Sequence, residues 1–383
     1  MKTLVRVTTV SGSLGVLLKG QLNFMSEYYN VVGIAGGKAN LDKIAIEEGI
    51  AVINLNMTRT ITPLKDLIVL LKLFFILRKL KPFIVHSHTP KAGTLAMLAA
   101  RLAGVPNRLH TIAGLPLIEV SGPKRILLNV VEKITYACAT KIYPNSNGLK
   151  EIILENNFTS ESKIKVLGNG SSNGINTDYF NPKNVSESNK ELLKANLGIK
   201  EHDFIFLYLG RIVKDKGINE LITGFSELTK DNASIKLLLV GPYEDDLDPI
   251  SAEVASIIHS DENIISLGWQ DDVRPYFAIC DVLVFPSYRE GFPNVVMQAG
   301  AMNTPSIVSD INGCNEIVQN GLNGLVIPVK DKHALSSAMH YMINNPAKRK
   351  LMAKRSRKLI IDRFDQLMVW NAILKEYQIL EGN

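Results

Sequence analysis

At 383 residues the chain exceeds what one hydrophobic core usually organises, so two domains are expected. With 46% hydrophobic and 21% charged residues it has a globular composition, and 43 Lys and Arg against 37 Asp and Glu is too small a surplus to point to nucleic acid, although it suits a surface resting on anionic lipid. Three cysteines, Cys138, Cys280 and Cys314, lack disulfide-like or zinc-like spacing, which excludes a disulfide-stapled module and favours a reduced, cytoplasmic setting.

Residues 1–10 lack the long apolar core and small-residue cleavage site of a secretory signal, and read as a first strand, Leu4 to Val10. Ser11-Gly12-Ser13-Leu14-Gly15 follows as a short glycine-bearing loop. Further strands are expected at Val31 to Ile34, Val52 to Leu55, Phe83 to His86, Arg108 to Ile112, Lys141 to Pro144 and Ile164 to Leu167, with helical stretches between them. Such alternation implies a parallel sheet with helices on both faces. The segment Leu64 to Lys81 mixes Leu, Ile and Phe with Lys65, Lys72, Arg78, Lys79 and Lys81, too many charges for a membrane span. It is either a helix packed on its sheet or an amphipathic helix laid on a membrane surface. His86-Ser87-His88-Thr89-Pro90-Lys91 closes the fourth strand and His110 lies in the fifth. His88, Lys91 and His110 are candidates for contact with an acceptor; the bland reading is a polar strand end and a strand-buried imidazole.

Gly168 to Gly174 and the polar stretch Asn181 to Lys190 read as a linker, giving a first domain at 1–178 and a second at 179–365. The alternation restarts at Phe204 to Leu209, then Lys236 to Val240, Ile264 to Leu267, Val282 to Phe285, Ser306 to Val308 and Leu325 to Ile327. The expected fold class is therefore α/β, two Rossmann-like doubly wound domains facing across a cleft, because ligands of open parallel sheets lie beyond the strand C-termini. No Gly-x-Gly-x-x-Gly run follows either first strand, which argues against a dinucleotide oxidoreductase.

Chemistry concentrates after two strands of the second half. Gly210 lets the backbone turn after Leu209, and Arg211 and Lys216 are two cations able to clamp a diphosphate. After Phe285 the chain runs Pro286-Ser287-Tyr288-Arg289-Glu290-Gly291-Phe292-Pro293-Asn294, with a helix expected from Pro293 to Met302. A helix N-terminus favours phosphate, while Glu290 in the loop and Gln298 in the helix can face hydroxyl groups of the same ligand. One ligand class carries both groups, a sugar nucleotide. The pairs Asp245-Asp246 and Asp271-Asp272 lie away from strand ends, and two cations can take over a metal's electrostatic work, so no metal site is expected.

These residues resemble glycosyltransferase family 4, retaining enzymes of the GT-B fold, whose signature is Glu, seven residues, and a second Glu in a Glu-Gly-Phe-Pro setting. The resemblance covers essentially the whole chain and extends through Gly210 to Gly217 and Asp310-Ile311-Asn312-Gly313-Cys314-Asn315-Glu316, the last matching a loop beside the donor or serving only as a helix cap. It implies that Arg211 and Lys216 hold the nucleotide diphosphate and steady the leaving group, and that Glu290 meets the donor sugar. Gly12 and Ser13, Gly210, and the run Gly291, Phe292, Pro293 and Asn294 are then expected to bind the donor. Gln298 stands where the family's second Glu meets the ribose, and Ala113 where its first-domain histidine precedes Gly114.

By the same resemblance the chain uses a UDP-sugar as co-substrate, with no other cofactor, to transfer a hexose or N-acetylhexosamine. The departing phosphate helps to deprotonate the acceptor, a polyprenyl-diphosphate-linked saccharide of bacterial surface polysaccharide assembly. The last helix, 366–383, is expected to return to the first domain, and the protein to be cytoplasmic, in peripheral contact with the inner face of the membrane. Gln298 and Ala113 keep open a nucleotide-sugar-binding protein with little transfer activity, and the shared architecture keeps open a sugar-nucleotide 2-epimerase.

Overall fold

Short runs of Val, Ile and Leu that are apolar on both faces can persist only where helices cover both sides of a sheet, and each half of the chain builds such a sheet. The computed structural model describes residues 1–383 apart from 59, 116, 118–119, 230–233, 245–247 and 383. Among the described residues the first sheet holds β1 (Thr3–Val10), β2 (Asn30–Gly36), β3 (Ala51–Asn54), β4 (Ile84–Ser87), β5 (Asn107–Ile112) and β6 (Lys141–Pro144). The second holds β7 (Phe204–Leu209), β8 (Ile235–Val240), β9 (Ile264–Gly268), β10 (Val282–Phe285), β11 (Ser306–Ser309) and β12 (Gly324–Ile327). Their orders are β3-β2-β1-β4-β5-β6 and β12-β11-β10-β7-β8-β9, all parallel, the doubly wound arrangement in each case. The order reverses between β1 and β4 in the first sheet and between β7 and β10 in the second.

The chain separates into two units, residues 1–173 with the chain from Leu367 onward, and residues 174–366. The division falls after Asn173 rather than at 178 because Ile175 is already tied to the end of the second unit. Its amide donates to the Phe364 carbonyl at 2.9 Å and its carbonyl accepts from the Gln366 amide at 3.0 Å. Two expected elements differ. Ile164 to Leu167 is no strand; Ile164 makes one isolated bridge to Ile142 between a 3-10 turn, Glu161–Lys163, and the positive-φ Gly168. Asn181 to Lys190 is not a linker but a 3-10 turn and the start of the helix Glu187–Asn196, because Ser186 caps the Asn189 amide at 3.3 Å.

In the first unit, alternation along β1 sends Val5 and Val7 to one helix layer and Leu4 to the other, where Leu14, Leu22, Ile373 and Tyr377 lie. The helix Pro63–Leu80 opens with Asp66 reaching back to accept from the Thr62 amide and hydroxyl, both at 3.0 Å, and buries Val69, Leu73 and Leu77 at four-residue spacing. It therefore packs on its sheet, yet Leu64, Leu67, Ile68, Leu71 and Phe75 stay exposed. No described helix is long and apolar enough to cross a membrane.

Candidate active site

The second unit stitches the loop after β7 to the loop after β10 at its switch point. Lys214–Lys216 forms a 3-10 turn closed by Gly217 at φ +72°, where a Cβ would lie 2.1 Å from the Pro286 carbonyl oxygen. Only glycine allows that approach. The Tyr288 amide then donates to the Asp215 carbonyl at 2.9 Å, and Arg289 pairs with the Asp215 carboxylate at 2.9 Å. The result is that Lys216 Nζ reaches Glu290 Oε1 at 2.6 Å, with the side chains only 13% and 18% exposed. Ser287, fully buried, donates to the same oxygen at 3.0 Å, and Asn312 Nδ2 donates to the Glu290 carbonyl.

Arg211 is held apart from this pair, its guanidinium bonded to Glu244 at 2.7 Å. Partial burial works against its charge, but Glu244, with Asp215 and Glu290 behind it, outweighs that and raises its pKa. Tyr208, buried beneath, donates to the Arg211 carbonyl at 2.7 Å and fixes the turn after Gly210. Burial, then the charges of Glu290 and Asp215, push its hydroxyl pKa well above the ordinary value.

The helix Asn294–Ala301 starts one residue later than expected, with Pro293 as its cap. Phe292 faces the core, edge-on to Phe364 at a 5.3 Å centroid distance, so a ligand there would meet its backbone rather than its ring. Gly291 and Pro293 are buried, Asn294 is exposed on the first turn, and Gln298 is half-buried. Asn315 donates to Asp310 at 2.9 Å within its own loop. Of the acidic pairs weighed for a metal, Asp272 is committed to Arg274 at 2.7 Å and Asp271 accepts from Trp269, while Asp245 and Asp246 lie outside the described residues.

In the first unit the segment after β1 is a helix, Ser11–Leu17, rather than a loop, because Ser11 and Leu14 are buried and carry it against the sheet. Gly12 is exposed and Ser13 half-buried on its outer turn. Lys91 is committed to Asp66 and to the Thr60 carbonyl at 2.9 Å, which ties two helices together. His110 is strand-buried, its Nδ1 2.8 Å from Ser87 Oγ and its ring so close to Gly93 that a Cβ there would meet Cε1 at 2.3 Å. His88 stacks on His86 at 4.3 Å, its two ring nitrogens have no hydrogen-bond partner among the described residues, and it lines a cavity of about 10 Å³ with Thr111, Asn145 and Ser171.

Beneath these imidazoles lies a feature the sequence reading passed over. Arg6, fully buried in β1, donates to Tyr377 Oη and Gln21 Oε1, and Tyr377 Oη lies 2.5 Å from His86 Nδ1. A lone arginine inside the apolar run Leu4 to Val10 was the available signal. Burial, followed by the Arg6 charge, holds His86 and His88 well below the usual imidazole range, and burial brings His110 down from 6.5 to about 4. All three imidazoles are therefore neutral near pH 7. Their folded pKa values are depressed, so stability is full above the unfolded value of 6.5 and is lost as pH falls below it, for His110 down to about 4. For His110 alone the loss amounts to about 3 kcal/mol. Urea unfolding followed between these pH values is expected to show it, with a shallower pH slope in His110→Asn.

Two sheets of the same doubly wound order, the second carrying a cation and carboxylate pair at its switch point, define a protein of the GT-B glycosyltransferase class. Residues 12–146 match the family described as glycosyl transferase 4-like, and residues 189–359 match glycosyl transferases group 1. The chain is 34% identical over 373 residues to the capsular polysaccharide biosynthesis glycosyltransferase CapM of Staphylococcus aureus, covering 97% of this chain and 95% of that one. It is 29% identical over 316 residues, 81% of this chain and 78% of the other, to the UDP-Gal:alpha-D-GlcNAc-diphosphoundecaprenol alpha-1,3-galactosyltransferase of Escherichia coli. A glycosyltransferase structure from Rickettsia africae superimposes with a TM-score of 0.82 at 22% identity, covering 100% and 99% of the two chains. The chain belongs to the family-4, group-1 glycosyltransferases, among relatives that build bacterial capsule and other polysaccharides.

Proposed function

We propose that the chain is a metal-independent, retaining transferase that moves a hexose or N-acetylhexosamine from a UDP-sugar to a polyprenyl-diphosphate-linked saccharide, as a cytoplasmic protein associated peripherally with the inner face of the membrane. The observation that carries it is the Lys216–Glu290 contact of 2.6 Å at the switch point of the second sheet, with Arg211 on the same loop. An ammonium has three donors, so Lys216 can hold Glu290 and a phosphate oxygen together. Glu290 then keeps its second oxygen for a sugar hydroxyl. As the bond from the sugar's anomeric carbon to the phosphate oxygen breaks, Lys216 and Arg211 stabilise the charge growing on the diphosphate, the role a metal plays elsewhere. The acceptor oxygen attacks from the same face and its proton passes to the departing phosphate. The relatives named for capsule assembly and for a diphosphoundecaprenol acceptor support the choice of substrate.

The test is transfer from a panel of UDP-sugars to a polyprenyl-diphosphate saccharide, with chelator present and the product's anomeric configuration read by NMR. Inversion, or a rate abolished by chelation, would refute the corresponding part. Gln298 favours one second reading, binding with little transfer. Calorimetry showing UDP bound while no donor is consumed would establish it, and conversion of UDP-N-acetylglucosamine alone would establish the epimerase instead. Gln298→Glu restores the carboxylate of the family pattern, and one charge-assisted hydrogen bond is expected to lower the donor KM by about five- to tenfold.

A further inference from the structure

Two helices of the first unit carry apolar stripes that its core does not use. Pro63–Leu80 turns Val69, Leu73 and Leu77 inward and leaves Leu64, Ile68, Leu71 and Phe75 outside at helical spacing, Leu64 being 80% and Phe75 66% exposed. Gly122–Cys138 buries Thr135, Tyr136 and Cys138 and leaves Ile126, Leu127, Val130 and Ile134 outside, Ile126 being 67% exposed. Both helices pack against the same intervening helix, Pro90–Leu102, so the two stripes belong to one helix layer. A helix of a water-facing layer normally presents charge outward, and apolar stripes in its place mark a surface made for contact.

The charges between these stripes say what the contact is with. Lys65, Lys72, Lys124 and Lys133 are exposed on the two helices, whose acids are one each: Asp66, tied to Lys91, and Glu132, half-buried. A second copy of the same face would set lysine against lysine, whereas an anionic headgroup layer meets both the cations and the apolar stripes. We propose that the outer faces of Pro63–Leu80 and Gly122–Cys138 form one docking surface for a bilayer containing anionic lipid, with Leu71, Phe75, Ile126 and Val130 entering the headgroup and acyl boundary. This assigns a surface to the peripheral association proposed above and rests on that reading, but it is measured without donor or acceptor.

The experiment is sedimentation of the full chain with vesicles of phosphatidylcholine alone or mixed with phosphatidylglycerol. Partition rises with phosphatidylglycerol and falls with salt, and Leu71→Ser with Phe75→Ser, or Ile126→Ser with Val130→Ser, each lowers it by about tenfold or more. Thermal melting of both variants falls only slightly, since about half or more of each side chain is already exposed. Turnover of a short-chain, water-soluble acceptor is unchanged. Wild-type-like partition by either double variant overturns the two-helix surface. So does equal binding to both vesicle types, or a lipid-free dimer that the same substitutions dissociate. Expected vesicle binding together with absent transfer leaves the surface standing and refutes the transferase reading instead.

Discussion

Lys216→Ala is expected to lower kcat/KM by on the order of 10²–10³-fold, and Glu290→Gln by a similar factor, in a donor-consumption assay. The pair is largely withdrawn from water and its contact is 2.6 Å. Removing one member leaves the other charge desolvated and unpaired, so each single change also destabilises, by about 2–4 kcal/mol. Lost activity alone would therefore not separate a structural ion pair from a working one. The double replacement Lys216→Met with Glu290→Gln separates them, because an uncharged pair of similar volume leaves no orphaned charge and is expected to melt near the wild type. A structural pair predicts that activity returns with stability. A pair that grips diphosphate and sugar predicts a stable protein that still does not transfer. Recovery of more than about a tenth of wild-type turnover by the double variant would defeat the assignment.

The fold was largely legible because parallel sheets covered on both faces write themselves as short apolar runs separated by helices, and Phe204 to Leu209 or Val282 to Phe285 admit little else. Ser11-Gly12-Ser13 misled, since its composition favours a loop while the burial of Ser11 and Leu14 forces a helical turn. Of the site, Lys216 and Glu290 stood out by their place at strand ends, and the structure brings these two together. Their supports did not stand out. Ser287, Asn312 and the Glu244 partner of Arg211 are ordinary polar residues whose roles exist only once four loops meet. The Arg6 contact with Tyr377 spans 371 residues of sequence, and no periodicity links such a pair. His88 and His110 could be read as strand-end imidazoles, but only the fold shows that His110 is packed on Gly93 and that His88 lies against His86, which itself bonds Tyr377.

Gly217→Ala is expected to be strongly damaging, and its cost divides into two measurable parts. The first is conformational: φ is +72° at this residue, where an L side chain costs about 1–2 kcal/mol. Gly198 isolates that part, since its φ is +66° but an added Cβ meets nothing within 4 Å. Gly198→Ala should therefore lose about 1 kcal/mol in urea unfolding and leave turnover intact. The second part is steric. At 217 the new Cβ falls 2.1 Å from the Pro286 oxygen and 2.9 Å from its carbonyl carbon, atoms of backbone rather than of a pliable side chain. Either the 3-10 turn or the loop after β10 must withdraw, and both carry a member of the Lys216–Glu290 pair. The loss should exceed that of Gly198→Ala by about 2 kcal/mol or more, with kcat/KM falling at least tenfold even at temperatures where the variant remains folded. Equal stability losses at the two glycines, or an unchanged kcat/KM in folded Gly217→Ala, would mean that the close approach at Pro286 does not hold the Lys216–Glu290 pair in place.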